Sequence, residues 1–408
     1  MSVFRKILLA FVVHRYRFVK KINKGSRHLK MLEYSRKAIN FYEGYPQVWS
    51  RLPVITKNEV INQWSSFVTG HKAMFKFFYS FGYTGGTTGK PMKLVQSKLR
   101  FLRELGAMYG YWWSLGWRGE CRAVIRNASL PDKQVKMHKF KGVIVFDGFK
   151  RENEYLEFIW SEIERLNVKW IHAYPSSAYS LFKYARDYKI DFAIRGVFMG
   201  SEGIHDYQKV LFNSLKLNWG TWYGHSEKLI FATKCPVSDV FHLDDYYGYT
   251  EVLGLGGEVE VGCQGSLVGS NSHNKGFSLI RYDTNDRAIY LGDRCPSCGE
   301  KSRAIRDIIG RWDNNLIALN NGSTISTTAL NSHDPYFSEI HEGLQYRQTE
   351  PGSLKIYIIK SKDWNEVIFQ EYQLFLEGVM SGKCEFQVEF IDKLIFGENG
   401  KFNLLLKY

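Results

Sequence analysis

Phe77-Phe78-Tyr79-Ser80-Phe81-Gly82-Tyr83-Thr84-Gly85-Gly86-Thr87-Thr88-Gly89-Lys90-Pro91 runs from an apolar stretch straight into glycine and threonine. The first five residues read as a strand. Beyond them, glycines let a backbone come close to phosphate oxygens, and threonine hydroxyls donate hydrogen bonds to those oxygens. Lys90 adds a positive charge and Pro91 stiffens the exit. Positions 84–90 hold three threonines, three glycines and a lysine, which an ordinary flexible turn does not need. Spacing excludes two common phosphate loops. A Walker loop needs glycine where this chain has Thr84 and a hydroxyl residue where it has Pro91, and the dinucleotide-binding glycine pattern does not fit either. Thr84, Gly86, Thr87, Thr88, Gly89 and Lys90 are therefore read as a phosphate loop of another kind.

Working outward from the loop, the chain before it is helical and basic, with Leu52-Pro53 marking a break ahead of a helix predicted over 57–68. After it, Lys98 to Trp117 repeats apolar residues at helical spacing, and its aromatics read as a buried face. Arg122–Ile125, Gly142–Phe146, Trp170–His172 and Gly196–Met199 read as strands, alternating with helices over Tyr155–Leu166 and Ser176–Tyr188. That alternation predicts an open α/β sheet with ligands at the carboxyl ends of its strands. Between Tyr246 and Tyr290 glycines break the pattern into short antiparallel strands, with a hairpin turn at Gly254-Leu255-Gly256-Gly257. The rest reads as a compact α+β unit: a hairpin at Thr349-Glu350-Pro351-Gly352, a helix near Trp364–Glu377 and a strand Phe386–Ile391. The expected fold class is α/β. A large domain of mixed sheets spans residues 1–311, and a small mobile α+β domain spans 312–408.

The 408 residues are 44% hydrophobic, enough for a sizeable core, and nothing in them suggests disorder. A formal charge of +14 suits anionic partners, although a solubilising surface excess accounts for it equally well. The charge carries no nucleic-acid reading, because no basic recognition helix or known module accompanies it. No run approaches the ~20 apolar residues that span a bilayer. Ile7–Val13 is short and lacks a cleavage site, so we expect no secretory leader and at most peripheral membrane contact. Six cysteines in so long a chain do not form a disulfide framework, which favours a reducing cytoplasm.

Five stretches, in order, resemble the adenylate-forming superfamily, and within it the phenylacetate–CoA ligase-like branch that includes capsule-associated proteins. They are Leu52-Pro53-Val54-Ile55-Thr56-Lys57, Gly86-Thr87-Thr88-Gly89-Lys90-Pro91 and Trp222-Tyr223-Gly224-His225-Ser226-Glu227, followed by Ile280-Arg281-Tyr282-Asp283-Thr284-Asn285-Asp286 and Ile309-Gly310-Arg311-Trp312-Asp313. The resemblance implies attack of a carboxylate on the α-phosphorus of ATP with pyrophosphate leaving. It gives Glu227 to Mg²⁺, Ser226 to the α-phosphate, and Tyr223 with Gly224 to the adenine side. Asp286 would accept from the ribose hydroxyls with Arg311 assisting, and Asp313 would be the hinge. Lys401 would be the catalytic lysine brought in by the small domain, beside Thr88 of the loop. Tyr174 and Ser201 fall where related enzymes line the acyl pocket. Three positions depart from the pattern: Gly85 replaces a hydroxyl residue, Asn285 a glycine and Asn314 an acid.

Cys295-Pro296-Ser297-Cys298-Gly299 is a knuckle-like turn, with Cys235 and His242 as the natural second ligand pair for a structural Zn²⁺. The related branch has a similar arrangement. A redox dithiol lacks its usual thioredoxin-like setting here. Cys121 and Cys263 are expected in the core. The acceptor of the second half-reaction is coenzyme A or an amine, the latter on a saccharide or amino acid. The competing reading is a nucleotide-binding scaffold without turnover in a polysaccharide assembly complex. Nothing in the sequence specifies an oligomeric state.

Overall fold

In a computed structural model the protein is described over residues 3–22, 27–69, 79–84, 91–98, 100–126, 130, 134–139, 141–310, 316–327, 330, 337–395 and 404–407. The predicted α/β alternation forms one half of a large sheet. Its strands Trp219–Gly224, Gly196–Gly200, Trp170–Ala173, Arg122–Ile125 and Val143–Phe146 lie side by side and parallel. These runs are apolar on both faces because both faces are covered. Ala123, Ile171 and Val197 point into a core closed by the helices Asn153–Arg165, Pro175–Asp187 and Asp206–Ser214. Alternate residues Trp170 and Phe198 face the other way, where Trp112 of the helix Arg100–Ser114 stacks on Phe198 with centroids 4.4 Å apart. The aromatic stretch before Trp117 is thus the buried face its spacing predicted.

Beyond Trp219–Gly224 the same sheet continues antiparallel through Phe231–Lys234, Phe241–Leu243, Ala304–Ile309, Tyr282–Tyr290, Gln264–Asn271 and Gly248–Gly254. The glycine cluster at 254–257 is the hairpin turn expected, with Gly254 paired to Gly257. Gly248 is required by close approach, since a Cβ there would stand 1.7 Å from the Leu229 carbonyl oxygen.

The helix predicted over 57–68 is split. A capping box between Thr56 and Glu59 starts the helix Lys57–Asn62, and a 3₁₀ turn Trp64–Phe67 replaces its second half. The preceding Leu52–Lys57 segment docks on the sheet. Ile55 N donates to the Arg281 carbonyl at 2.9 Å, and the Arg281 guanidinium reaches the Leu52 carbonyl. Two of the sequence stretches that carried the resemblance are therefore in contact.

Toward the C-terminus a smaller sheet runs Glu385–Phe390, Ser353–Lys360, His341–Glu350, Leu405–Lys407, with the helix Glu366–Met380 packed in its core. The predicted hairpin, helix and strand are all present. Gly352, at φ 79°, turns the hairpin. This unit meets the large sheet through Phe149 and Tyr174, which join its apolar core. It is also held by Lys383, whose Nζ lies 2.8 Å from Glu152 Oε1 and donates to the Phe149 carbonyl at 3.3 Å.

Candidate functional site

The phosphate-loop stretch begins and ends on a hairpin. Tyr79–Tyr83 pairs antiparallel with Lys93–Ser97. Thr84 is buried at the base, where its Oγ1 accepts from Met92 N at 2.9 Å and its own N donates to the Met92 carbonyl at 3.0 Å. Thr84 closes the neck rather than pointing to a ligand. Gly86, Thr87, Thr88, Gly89 and Lys90 lie outside the described residues, as do Arg311, Asp313 and Lys401.

A cavity of about 190 Å³ opens at the carboxyl ends of Gly196–Gly200 and Trp219–Gly224. Ser201, Thr221, Tyr223, Gly224, Asp307 and Ile308 are among its lining residues. This is the location that doubly wound sheets reserve for ligands, because strand ends and loops there present unsatisfied polar groups. Tyr223 lines the cavity and sends its hydroxyl to Asp286 Oδ2 at 2.7 Å.

Asp286 is not a turn residue. It sits within Tyr282–Tyr290 at 0% exposure, sealed behind Tyr223. The strand reaches Asp286 through Asn285, whose φ of 59° is the left-handed conformation that asparagine tolerates better than most residues. The glycine-to-asparagine departure is accommodated for that reason.

Glu227 is buried too, and Lys228 turns away from it to pair with Glu104. Its carboxylate is instead held by His225 Nδ1 at 2.9 Å on Oε2 and by the Tyr282 hydroxyl at 3.2 Å on Oε1. The carboxylate borders a small cavity of about 20 Å³. A carboxylate is the hard oxygen donor that a small cation such as Mg²⁺ takes, and Arg103 and Lys228 line the same space. Ser226 lies between these groups in sequence and is half-buried. Tyr223 with Asp286, and Glu227 with His225 and Tyr282, thus form two hydrogen-bonded groups, and Tyr282 and Asp286 stand on the same strand. Tyr282 is the member that sequence reading passed over, although it lies inside a quoted stretch.

Tyr174 and Ser201 come together around a residue that was not singled out. Arg126 follows the strand Arg122–Ile125 at its carboxyl end. Its Nη2 donates to Ser201 Oγ at 3.0 Å, its Nη1 lies 2.7 Å from His172 Nε2, and its guanidinium stands 5.0 Å over the Tyr174 ring. Burial, with the nearby Arg126 and Arg122 charges, holds the His172 pKa well below its ordinary value. The ring is neutral, so Nε2 accepts from Arg126. Ser201 adopts φ 72°, which turns it toward the cavity side of the loop. Tyr174 is buried against the small unit and is absent from the cavity lining. The rule that ligands gather at strand ends is the signal that could have found Arg126.

The four proposed zinc ligands converge. Cys235, His242, Cys295 and Cys298 place their ligand atoms within 4.8 Å of one another, the metal-ligand cluster found among the described residues. Cys235 Sγ and Cys295 Sγ are 4.0 Å apart, and Cys298 Sγ lies 3.4 Å from His242 Nε2. Tetrahedral zinc with bonds of ~2.3 Å to sulfur sets its ligand atoms ~3.8 Å apart, so the donor set fits. Gly299, at φ 73°, lets the knuckle close. The cluster adjoins the cavity, since Lys234 and Phe241, neighbours of Cys235 and His242, line it. Cys263 is exposed rather than a core residue, because it occupies the turn after Gly262. Cys121 is half-buried.

No family model matches this chain, and no curated protein matches it. Solved structures do. The chain resembles 2-hydroxyisobutyryl-CoA ligase in complex with 2-HIB-AMP and CoA in the thioesterification state, with a TM-score of 0.58 at 15% identity, covering 97% of this chain and 90% of that one. It resembles the same ligase in the postadenylation state with R3-HIB-AMP at 0.54 and 14% identity, covering 94% and 88%. An open conformation with 2-HIB-AMP and CoA gives 0.54 and 14%, covering 93% and 90%. At such identities the likeness is one of fold. The protein has the adenylate-forming ligase fold.

Proposed function

We propose that this protein activates a carboxylic acid with ATP, forming an acyl-adenylate and releasing pyrophosphate, and then transfers the acyl group to coenzyme A or an amine. One observation carries the reading. In an adenylate-forming fold, a cavity at the strand ends is lined by Tyr223, which is tied to Asp286, and the chain just beyond that strand holds the buried Glu227, bound by His225 and Tyr282.

On this reading the acid's carboxylate attacks the α-phosphorus, and the chain's residues orient the reactants and neutralise charge that develops on the phosphates. Glu227 would hold Mg²⁺, which when bound supplies positive charge to the phosphate oxygens. Thr87, Thr88 and Lys90 would cradle the phosphates, and Ser226 would bind near the α-phosphate. Tyr223 and Gly224 would face the adenine, with Asp286 and Arg311 serving the ribose. Arg126, whose described partners are neutral, would orient the acid from the Ser201 side. Cys235, His242, Cys295 and Cys298 would hold a Zn²⁺ whose role is structural, because four protein ligands leave no open position.

The proposed division falls at residue 311, with 312–408 turning about Asp313 to deliver Lys401 for adenylation and to withdraw it for transfer. That turn would break the Lys383–Glu152 pair. The finer reading, an amine acceptor within capsule or exopolysaccharide synthesis, rests on the sequence resemblance. The test is pyrophosphate release with aryl acids, uronic acids and amino acids. Release with any acid, lost on Lys401→Ala without loss of fold, is the expected result. Nucleotide binding with no release for any acid would favour the scaffold instead.

A further inference from the structure

The first 32 residues carry nine Lys or Arg and no acid, the first being Glu33, in a chain whose formal net charge is +14. Most of them lie on the helix Val3–Ile22, which is attached to the body along one side only. Val13 and Tyr16 are buried, and Tyr16 packs on Gly106 of the helix Arg100–Ser114. The Tyr16 hydroxyl donates to Asp244 Oδ2 at 3.0 Å, Lys20 Nζ lies 3.0 Å from the same oxygen, and Arg17 Nη2 donates to the Gly110 carbonyl at 3.0 Å.

At ~3.6 residues per turn, positions 7, 11 and 18 fall on one narrow arc opposite that attachment. Ile7, Phe11 and Phe18 are 62%, 60% and 66% exposed there, with Leu8 beside them. His14, Arg15 and Lys21, also exposed, flank the stripe. An ordinary surface helix buries its apolar arc and shows its charges; this one buries one apolar arc and shows a second. Among the described residues no helix is long and apolar enough to cross a membrane.

We propose that this outer face is a docking surface for an anionic lipid bilayer. Ile7, Phe11 and Phe18 enter the boundary between headgroups and acyl chains, and the flanking cations meet anionic headgroups. Charge complementarity selects this occupant. An acid-free basic segment is repelled by a second copy of itself, whereas an anionic leaflet attracts it, and large aromatic and aliphatic side chains suit the interfacial depth. The inference is independent of the catalytic reading.

The test is co-sedimentation of the full chain with vesicles of phosphatidylcholine alone and with roughly 30% phosphatidylglycerol. We expect binding to the anionic vesicles to be at least ~tenfold stronger and to weaken as salt shortens the screening length. Arg15→Glu with Lys21→Glu should remove the preference for anionic vesicles, and Phe11→Ser with Phe18→Ser should lower binding ~tenfold. Both pairs are exposed, so thermal unfolding should stay as in the parent protein and report intact folding. Equal binding to both vesicles, or binding unchanged by Phe11→Ser with Phe18→Ser, overturns the proposal. So does concentration-dependent self-association that the same pair abolishes, which would make a second copy the occupant.

Discussion

Tyr223 concentrates two tasks in one side chain. It lines the cavity while its hydroxyl donates to a carboxyl group that has no exposure. Tyr223→Phe keeps the ring and removes the hydrogen bond to a buried carboxyl group, which costs about 2 kcal/mol. A lowered midpoint in denaturant unfolding with an unchanged slope is the expected result. Glu227→Gln acts differently. It preserves shape and the Tyr282 contact but removes the charge that Mg²⁺ would need, so pyrophosphate exchange should fall by at least ~100-fold with little change in stability. Exchange near the parent rate would remove Glu227 from the chemistry. Arg126→Met should raise KM for the acid about tenfold and leave KM for ATP unaltered, because its contacts are on the Ser201 and Tyr174 side.

At the scale of elements, the antiparallel half of the sheet is held by two local devices. One is the Cys235/His242/Cys295/Cys298 cluster, which joins the Phe231–Lys234 and Phe241–Leu243 strands to the knuckle after Tyr290. Purified protein should contain about one zinc per chain. Chelation, or Cys298→Ser, should first raise hydrogen exchange in those two strands, because metal-ligand free energy becomes folding free energy. Protein free of zinc with unchanged exchange would show that the cysteines are merely buried neighbours. The other device is Gly248, pressed against the Leu229 carbonyl. Gly248→Ala forces the backbone apart and should cost about 3 kcal/mol or more, read from thermal or denaturant unfolding.

For the whole molecule, acid is the expected weak point. Burial lowers the pKa of His341 to about 4, and His172 is held well below its ordinary value by burial and two arginines. In the unfolded chain such a histidine titrates near 6.5, so between about pH 4 and 6.5 the unfolded state binds more protons than the native one. Stability therefore rises with pH across that window and is lost on acidification, with His341 alone contributing about 3 kcal/mol at full effect. A series of melts from pH 4 to 7 should show this slope, and His341→Gln should lessen it, leaving the part due to His172.

Most of the architecture was legible because it follows from local rules. Strand and helix periodicity placed four of the parallel strands and their helices, turn chemistry placed the hairpins at 254–257 and 349–352, and the CxxC with Cys235 and His242 proved to be one cluster. The break within 57–68 escaped, since helical spacing cannot distinguish an α-helix from one that tightens to 3₁₀ midway. Sequence by itself determined which residue types could serve phosphate chemistry and their order along the chain. Only the tertiary structure decided their orientation: Thr84 turned into the hairpin neck, Asp286 sealed behind Tyr223, Glu227 clasped by His225 and Tyr282, and Arg126 brought to Ser201. The physical reason is distance along the chain. Tyr223 meets Asp286 across 63 residues and Arg126 meets Ser201 across 75, and contacts of that span arise from how the sheet is wound, which no local pattern encodes.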